Sequence, residues 1–335
     1  MKRIYIPLIL LMLLLFVSCK PEEPLVKQDF ALATVVKITL RDHATEELMD
    51  QLFARLREIE ERMSMVKKES DVYKLNHAQG EALQVHEDTY YVLQKAKEYF
   101  ELTGGYFDPT LGSVVELWKI GTEEAAIPSS EELEKALTHV DGRQIELLDN
   151  LQVRIPQGAV LDLGAIAKGY AADEMAKIAK EEGVTSAIFD LGGNVLTLGD
   201  KEGKKFRIGI QEPFSEILRG SPFAILLLSN QTVVTSGDYE RFFEEDGKRY
   251  HHILDFRTGY PVENELASVS IITDSSIRAD ALSTAVYAMG REKGKAFIES
   301  QENLEAIFVT RNKKVSVTTG LSESFILEDS SYHQE

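Results

Sequence analysis

Segments with strand-like and helix-like patterns follow one another in this chain without the regular strand–helix–strand alternation of a parallel sheet. Helices are expected where apolar residues recur at three- and four-residue steps, and the clearest case follows Thr45, a typical N-cap residue. The predicted helices span residues 46–63, 88–102, 130–137, 164–182 and 276–289. The predicted strands span residues 30–40, 147–155, 159–163, 187–190, 206–211, 223–229, 232–236, 249–256 and 267–273. This order favours an α+β fold over a doubly wound sheet.

The charge and the cysteine content narrow the classes of function. The 335 residues include 37 Lys+Arg against 55 Asp+Glu, a formal net charge of -18, whereas a nucleic-acid-binding protein needs a basic face. The hydrophobic fraction of 44% and the charged fraction of 27% are typical of a globular protein. A single cysteine excludes both an internal disulfide and a multi-cysteine metal site.

The amino terminus has the pattern of an export signal. A short basic start is followed at residues 4–17 by an apolar run that only Pro7 interrupts. This run is shorter than the roughly 20 residues that span a bilayer, and it matches the apolar region of a secretory signal. Ser18 and Cys19 follow directly, which resembles a bacterial lipoprotein signal, in which the cysteine is lipidated. An ordinary cleaved signal with a chance cysteine is the alternative.

The lipoprotein interpretation divides the chain into three segments. Residues 1–18 are predicted to be the signal peptide, residues 19–28 a tether, and residues 29–328 the folded domain. The mature protein is then expected to be exported and lipid-anchored through Cys19 to a bacterial membrane, on its periplasmic or extracellular side.

Two glycine-containing segments could approach a ligand with their backbones. Residues 104–110 combine two glycines with an aromatic pair, Tyr106 and Phe107, that could stack on a planar ring. Residues 162–170 lead from a strand end into a helix start, where free N–H groups can hold an anion and Lys168 adds a positive charge. The alternatives are a helix end with a turn in the first case and a plain strand-to-helix corner in the second.

Two further clusters offer acid–base and metal chemistry. The adjacent His251 and His252 would face opposite sides of a strand, which suggests a general base or a metal ligand, with a structural or surface histidine as the alternative. Asp280 and Thr284 lie four residues apart on a predicted helix, so their oxygens share a face and suit Mg²⁺. Alternatively, Asp280 only begins the helix and Thr284 bonds back to the chain. Together the four clusters provide the groups that phosphoryl transfer requires: a metal site, an anion site, stacking aromatic rings and a base.

Five segments in this order resemble the ApbE-type FAD:protein FMN transferase family. They are residues 105–112, 162–170, 236–239, 252–259 and 279–284, and the resemblance extends over residues 30–325. It implies mixed, largely antiparallel sheets flanked by helices in a T-fold-like architecture. It also implies that residues 29–328 form one FAD-binding FMN transferase domain.

The resemblance implies a Mg²⁺-dependent enzyme that cleaves the pyrophosphate of FAD, releases AMP and joins FMN through its phosphate to a threonine of a target protein. Targets in the family are flavoprotein subunits of membrane redox complexes, such as sodium-pumping NADH:quinone reductase and Rnf-type complexes. If water were the acceptor, the same site would be an FAD pyrophosphatase. A non-catalytic flavin-binding lipoprotein is the alternative from another class.

The resemblance also assigns roles to residues. The metal positions fall on Ala165, through its backbone carbonyl, and on Asp280 and Thr284, and the catalytic histidine falls on His252 rather than His251. The family's first-strand Met-Gly-Thr, near the flavin, falls on residues 32–34, which are Leu-Ala-Thr. The predicted FAD contacts are Tyr106, Phe107, Asp108, Asp162, Lys168, Ser236 and Gly237.

Overall fold

The computed structural model describes residues 23–215 and 222–335. Its helices are α1 (Glu46–Met63), α2 (Asp71–Asn76), α3 (Glu87–Thr103), α4 (Gly112–Trp118), α5 (Ser130–Leu137), α6 (Ala167–Glu181), α7 (Ser276–Met289) and α8 (Arg291–Glu299). Its strands are β1 (Leu25–Ala31), β2 (Thr34–Leu40), β3 (Leu83–Gln84), β4 (Glu146–Leu148), β5 (Gln152–Arg154), β6 (Ala187–Leu191), β7 (Asn194–Leu198), β8 (Phe206–Gln211), β9 (Pro222–Leu228), β10 (Thr232–Gly237), β11 (Phe242–Glu245), β12 (Lys248–His251), β13 (Leu266–Thr273), β14 (Glu305–Thr310), β15 (Lys314–Val317), β16 (Phe325–Leu327) and β17 (His333–Gln334). The predicted signal peptide and Cys19 lie outside the described residues.

Within the described residues, nine strands form one sheet in the order β1-β2-β6-β7-β10-β13-β14-β15-β17. Neighbouring strands in it are antiparallel except for β15 and β17. Smaller antiparallel sheets have the orders β16-β9-β8 and β3-β5-β4, and β11 pairs with β12. The predicted α+β class with largely antiparallel sheets is therefore confirmed. In the same two ranges no helix has the length and apolar character required to cross a membrane.

The middle of the large sheet is covered on both faces. All eight residues of β13 are buried. Val269 and Ile271 pack against Leu282 of α7, whereas Ile272 packs against the strands of the β16-β9-β8 sheet. Most of α7 is buried as well, because the sheet covers one side and α6 and α8 lie against the others. The helix that carries Asp280 and Thr284 is thus held from several directions.

Residues 30–40, predicted as one strand, belong to a hairpin of two strands. β1 pairs with β2, and the two turn residues Leu32 and Ala33 have φ values of 49° and 58°. This left-handed conformation is normally adopted by Gly or Asn, so a Leu-Ala pair contains no signal for the turn. The alternating pattern continues through it, which explains the error.

Replacing Ala33 by glycine is expected to raise the free energy of unfolding by about 0.5–1 kcal/mol, because glycine adopts positive φ without strain. Part of this gain is offset because glycine increases the conformational entropy of the unfolded chain. Urea unfolding followed by circular dichroism measures the change. As a control, glycine at the exposed position 37 of β2, in place of Lys37, should lower stability. If the Ala33→Gly variant were less stable than wild type, the hypothesis that Ala33 is strained at this turn would be wrong.

The folded part begins earlier and ends later than predicted. β1 starts at Leu25, inside the segment predicted as a tether, because residues 25–28 pair with β2. At the other end β17 adds to the edge of the large sheet beside β15, beyond the predicted boundary at residue 328.

Other predicted boundaries were shifted by turns. Residues 147–155 are divided into β4 and β5 by Asn150 and Leu151, whose φ values are both 57°. Residues 159–163 form no strand, and Val160 makes only an isolated parallel bridge to Leu111. By contrast, the predicted cap of α1 is confirmed, since the side chain of Thr45 accepts a hydrogen bond from the Leu48 N–H at 3.1 Å.

Candidate active site

One cavity, called here the inner cavity, brings together nearly all of the residues predicted for the site. Its wall is built by the turn after α3, the segment that leads into α6, strand β10, the residues after β12, and helix α7. The predicted residues that line it are Tyr106, Phe107, Asp108, Asp162, Ala165, Lys168, Ser236, His252, Asp280 and Thr284.

Asp280 joins α7 to the start of α6. Its Oδ2 accepts a hydrogen bond from the Gly169 N–H at 2.8 Å, and its Oδ1 lies 3.6 Å from Lys168 Nζ. The two helices approach so closely that a Cβ at Gly169 would lie 2.2 Å from the Ser276 carbonyl oxygen. The N-terminus of α7 is capped by the carboxylate of Asp173 in α6, which accepts from Ser276 N at 2.8 Å. The N-cap residue Ser275 makes no capping hydrogen bond with its own side chain, so the cap comes from the neighbouring helix.

The contact between Gly169 and Asp280 also affects the carbonyl of Ala165. A helix was predicted from residue 164, but α6 begins at Ala167. In a regular helix the Gly169 N–H would donate to the Ala165 carbonyl, four residues earlier. Here that N–H donates to Asp280 instead, so the Ala165 oxygen lacks its helical donor in the wall of the cavity.

These groups match the chemistry of a Mg²⁺ site. A carboxylate (Asp280), a hydroxyl (Thr284) and a backbone carbonyl (Ala165) are hard oxygen donors on one cavity, as Mg²⁺ prefers. Ser236 Oγ lies 3.4 Å from Thr284 Oγ1 and 2.8 Å from Ser283 Oγ, which fixes the hydroxyls beside the carboxylate. The described ranges contain no cluster of three or more His, Cys, Asp or Glu side chains suited to a metal. A site with one carboxylate agrees with that result.

The first of the two adjacent histidines is structural. β12 ends at His251, whose ring is buried. The Val262 carbonyl can only accept, so His251 Nε2 donates to it at 3.0 Å, and Nδ1 accepts from the Ile253 N–H at 3.3 Å. Burial lowers the pKa of His251. With both ring nitrogens occupied in the protein interior, His251 is unavailable to a substrate.

The second histidine has the opposite environment. His252 lines the inner cavity, and its Nδ1 donates to the Arg241 carbonyl at 3.2 Å. This bond fixes the tautomer in which Nε2 is unprotonated, and Nε2 has no hydrogen-bond partner in the described part of the chain. Removal from bulk water and the nearby charge of Arg241 hold the pKa of His252 well below its usual value. His252 is therefore a neutral base with a free lone pair.

The predicted strand at residues 249–256 ends at His251, yet the two histidines do face opposite sides, as predicted. His252 and Leu254 line the inner cavity, whereas His251 and Ile253 are buried in the core. Phe256 does not line the cavity and instead contacts Tyr106, with ring centroids 5.6 Å apart.

The two predicted aspartates differ in how they can serve a ligand. Oδ1 of Asp108 accepts from Thr110 N at 2.8 Å and from Thr110 Oγ1 at 2.6 Å, and Oδ2 accepts from Gly142 N at 3.3 Å. Burial raises the pKa of Asp108. This residue mainly fixes the turn that presents Phe107. Asp162 uses Oδ1 for the Gly164 N–H at 2.7 Å, and its Oδ2 is free of partners within the described ranges.

Gly237, predicted to contact the cofactor, is not part of the cavity wall. A Cβ at this position would lie 2.4 Å from the Tyr239 ring and 2.9 Å from the Ala267 carbonyl oxygen. Glycine is needed here because the ring and the neighbouring strand pack directly against the backbone. Packing therefore explains the glycine at this position, and its contact with the cofactor stays a prediction.

A second cavity, called here the outer cavity, adjoins the first. It is lined by Leu32, Ala33 and Thr34 of the β1–β2 turn and by apolar residues of β8. The residues shared by both cavities define the junction between them: Gly164, Lys168, Gly192, Gly193, Thr235, Glu240 and Arg241. Lys168 and Arg241 thus place positive charge between two chambers, each with apolar walls.

The comparison with protein families decides the assignment. The model of the ApbE family matches residues 32–308, most of the chain. The chain belongs to the ApbE family. The resemblance seen in the sequence motifs is thereby confirmed, and so is the fold class, because solved ApbE structures superpose on it.

Two relatives and two structures illustrate the similarity of this ApbE-family chain to known proteins. The FAD:protein FMN transferase of Treponema pallidum is 37% identical over 290 residues, covering 82% of this chain and 80% of that protein. The Klebsiella pneumoniae protein of the same name is 36% identical over 293 residues, covering 86% and 90%. The ApbE protein of Thermotoga maritima superposes with a TM-score of 0.80 at 34% identity, covering 88% and 96%. The apo flavinyl transferase ApbE of Pseudomonas stutzeri gives 0.78 at 27%, covering 92% and 95%.

Three residues of the ApbE-family site were missed in the sequence. Glu240 and Arg241 directly follow the 236–239 segment and lie at the junction of the cavities. Asn194, the first residue of β7, lines the inner cavity, and its Nδ2 is the buried side-chain nitrogen without a hydrogen-bond partner within the described residues. An unsatisfied buried donor of this kind is typical of ligand sites.

Proposed function

We propose that this ApbE-family chain is an FAD:protein FMN transferase that uses Mg²⁺, releases AMP and attaches FMN through a phosphoester to a threonine of an acceptor protein. The observation that carries the proposal is the free Nε2 of neutral His252 on the same cavity as the oxygens of Asp280, Thr284 and Ala165. A base and a Mg²⁺-type donor set are what transfer of a phosphoryl group to a hydroxyl requires.

The two adjoining cavities suit the two ends of FAD. Each has apolar walls for a ring system, and the junction between them carries the positive charge of Lys168 and Arg241 for the pyrophosphate. The wall of the inner cavity contains the buried Phe107 and Trp118, and the wall of the outer cavity contains the β1–β2 turn. The surface of a protein this acidic does not attract anionic FAD, so local positive charge at the junction matters.

The chemical step follows from the positions of the protein groups. His252 Nε2 takes the proton of the acceptor threonine hydroxyl as its oxygen attacks the phosphorus on the FMN side. A P–O bond to threonine forms, the pyrophosphate P–O bond breaks, and AMP leaves with its electron pair. Mg²⁺ held by Asp280, Thr284 and the Ala165 carbonyl would neutralise charge on the pyrophosphate. Gly169 and Lys168 hold the Asp280 carboxylate in place throughout.

The acceptor and the location complete the proposal. The acceptor we propose is a flavoprotein subunit of a membrane redox complex of the sodium-pumping NADH:quinone reductase or Rnf type. The support is the family motif pattern together with the export and lipidation signal at Cys19. Such an anchor would keep the enzyme beside membrane-bound acceptors on the periplasmic or extracellular side.

Incubation with FAD, Mg²⁺ and a candidate acceptor subunit tests the function. We expect a flavin-fluorescent acceptor band in a denaturing gel and one AMP released per FMN attached. EDTA should abolish both products, and an acceptor with valine in place of its threonine should remain unlabelled. AMP without a fluorescent band would identify an FAD pyrophosphatase, and absence of both products would reject the function.

A further inference from the structure

Arg241 occupies a position in which its backbone and its side chain face the same reaction centre. It lies between β10 and β11 and lines both the inner and the outer cavity. Its carbonyl accepts from the His252 backbone N–H and from His252 Nδ1, each at 3.2 Å. The backbone of this residue therefore fixes the orientation and the tautomer of the base.

The guanidinium of Arg241 acts on the neighbouring Glu240 and His252 side chains only through its charge. Neighbouring arginines form ion pairs: Arg249 with Glu244 at 3.2 Å, and Arg257 with Asp255 at 2.6 Å. In the parts of the chain that the structure describes, no side chain makes a hydrogen bond or an ion pair with Arg241. An unpaired guanidinium in so acidic a protein leaves all of its donors available to an anion from outside.

The other cation at the junction is already engaged. Lys168 Nζ donates to the Gly164 carbonyl at 3.1 Å and lies 3.6 Å from Asp280 Oδ1. Its charge therefore supports the carboxylate of the metal position. Glu240 also lies at the junction, but its carboxylate makes no hydrogen bond or ion pair with Arg241 within the described residues, so the donors of the Arg241 guanidinium remain available to a ligand.

The stem of Arg241 is supported by the loop after α4. Gly121 has a φ of 90°, and a Cβ on it would lie 3.4 Å from Arg241 Cδ and 3.7 Å from Cγ. The backbone of this loop thus packs against the aliphatic part of the side chain. Packing of the stem reduces the conformational entropy that the guanidinium would lose on binding.

From these observations we propose that Arg241 binds the phosphoryl oxygens of FAD at the junction of the two cavities, while its carbonyl holds the base that acts on the same phosphorus. The proposal rests on the proposed function for the identity of the ligand. A guanidinium presents parallel N–H donors that match two phosphate oxygens. As the pyrophosphate bond breaks, the same donors can stabilise the charge that develops on the departing AMP.

Binding measurements in EDTA test this role without any turnover. FAD and riboflavin, which lacks phosphate, are titrated against wild type, Arg241→Gln and Arg241→Lys by flavin fluorescence. We expect FAD to bind about tenfold to a hundredfold more weakly to Arg241→Gln, as for loss of charge-assisted hydrogen bonds, with riboflavin binding unchanged. Arg241→Lys should give an intermediate loss, because it keeps the charge but not the paired donors.

A matched variant and a rescue experiment complete the test. Arg249→Gln removes the same charge from β12, in the hairpin that follows Arg241, at a residue that lines neither the inner nor the outer cavity, and it should bind FAD as wild type does. Added guanidinium ion should restore FAD binding to Arg241→Ala. Unchanged FAD affinity in Arg241→Gln, or an equal loss for riboflavin, would overturn the proposal. Because no product is measured, failure of FMN transfer itself would be seen separately in the wild type.

Discussion

Replacing His252 by alanine is expected to lower the rate of FMN transfer by about 10²- to 10⁴-fold, the usual contribution of a general base. The reason is that His252 Nε2 carries a free lone pair on the same cavity as Asp280 and Thr284. FAD affinity should change little, since the base acts on the acceptor hydroxyl. Single-turnover labelling of the acceptor, beside an FAD titration, separates the two effects.

The adjacent histidine provides the control. His251→Gln loses packing and two hydrogen bonds in the core, so it should lower thermal stability but leave transfer by the folded protein largely intact. A His252→Ala enzyme with normal turnover, or an equally large catalytic loss in His251→Gln, would remove His252 from its role.

The environment of His252 also sets a pH dependence. Its pKa lies well below 6.5 in the folded protein, because burial and the charge of Arg241 disfavour the protonated ring. The base is therefore unprotonated at pH 7 and still unprotonated at pH 6.5. We expect the single-turnover rate to stay constant as pH falls through 6.5 and to decline only below the lowered pKa. A decline centred on 6.5 would show an unshifted histidine.

The largest effect on stability is expected for Asp88→Ala, which should lower the free energy of unfolding by about 3–5 kcal/mol, as for a buried ion pair that loses one partner. Asp88 in α3 accepts from Arg55 Nη1 at 2.8 Å and Nη2 at 2.7 Å, and from the Tyr170 hydroxyl at 2.6 Å. Arg62 also donates to it. The carboxylate therefore joins helices α1, α3 and α6, and its loss removes two of the hydrogen bonds of the Arg55 guanidinium, which keeps its ion pair with Glu174 at 2.8 Å.

Urea unfolding at several pH values measures this effect. Asp50→Ala, which removes an exposed ion pair with Lys27, should cost less than about 1 kcal/mol and serves as the control. Hydrogen bonds from Arg55 and Tyr170 hold the pKa of Asp88 at about 2, against the opposing effect of burial. Its stabilising effect is thus complete above the unfolded value near 3.8 and is lost as pH falls through about 2. If Asp88→Ala and Asp50→Ala lowered the free energy of unfolding equally, the stabilising role of the Asp88 network would be wrong.

Structural features that depend on neighbouring residues in the sequence could be predicted, whereas features that depend on distant residues could not. The apolar periodicity of α1 and the cap at Thr45 involve neighbours in the chain, and both were predictable. The β1–β2 turn was not, because Leu32 and Ala33 adopt a backbone that their side chains disfavour and that only the surrounding sheet enforces. The cap of α7 was missed for a similar reason, since Asp173 reaches it from another helix.

The site divides in the same way. Motif residues such as Lys168 and Asp280 were assigned to one site from their chemistry and the family pattern, and the structure places them 3.6 Å apart. The carboxylate of Asp108 accepts a hydrogen bond from Gly142, and the Arg241 guanidinium has no such partner within the described residues. Both facts depend on residues that are distant in the sequence. The residues next to Asp108 and Arg241 in the sequence do not show whether the side chain of either one is hydrogen-bonded within the protein.

The hairpin of β11 and β12 has a consequence for how this part of the gene can change. His251 pairs with Phe242 at the end of β12. The two-residue turn at Asp246 and Gly247 sets this register, and therefore determines that His252 is the first residue after the strand. Insertion of one codon in β12 would move His251 to the place of His252 at the cavity and His252 to the buried place of Ile253. Substitutions at the exposed positions of this hairpin are therefore tolerable, whereas changes in its length are not. Among natural variants we expect the number of residues between Phe242 and His252 to be constant, while the identities of the exposed residues vary.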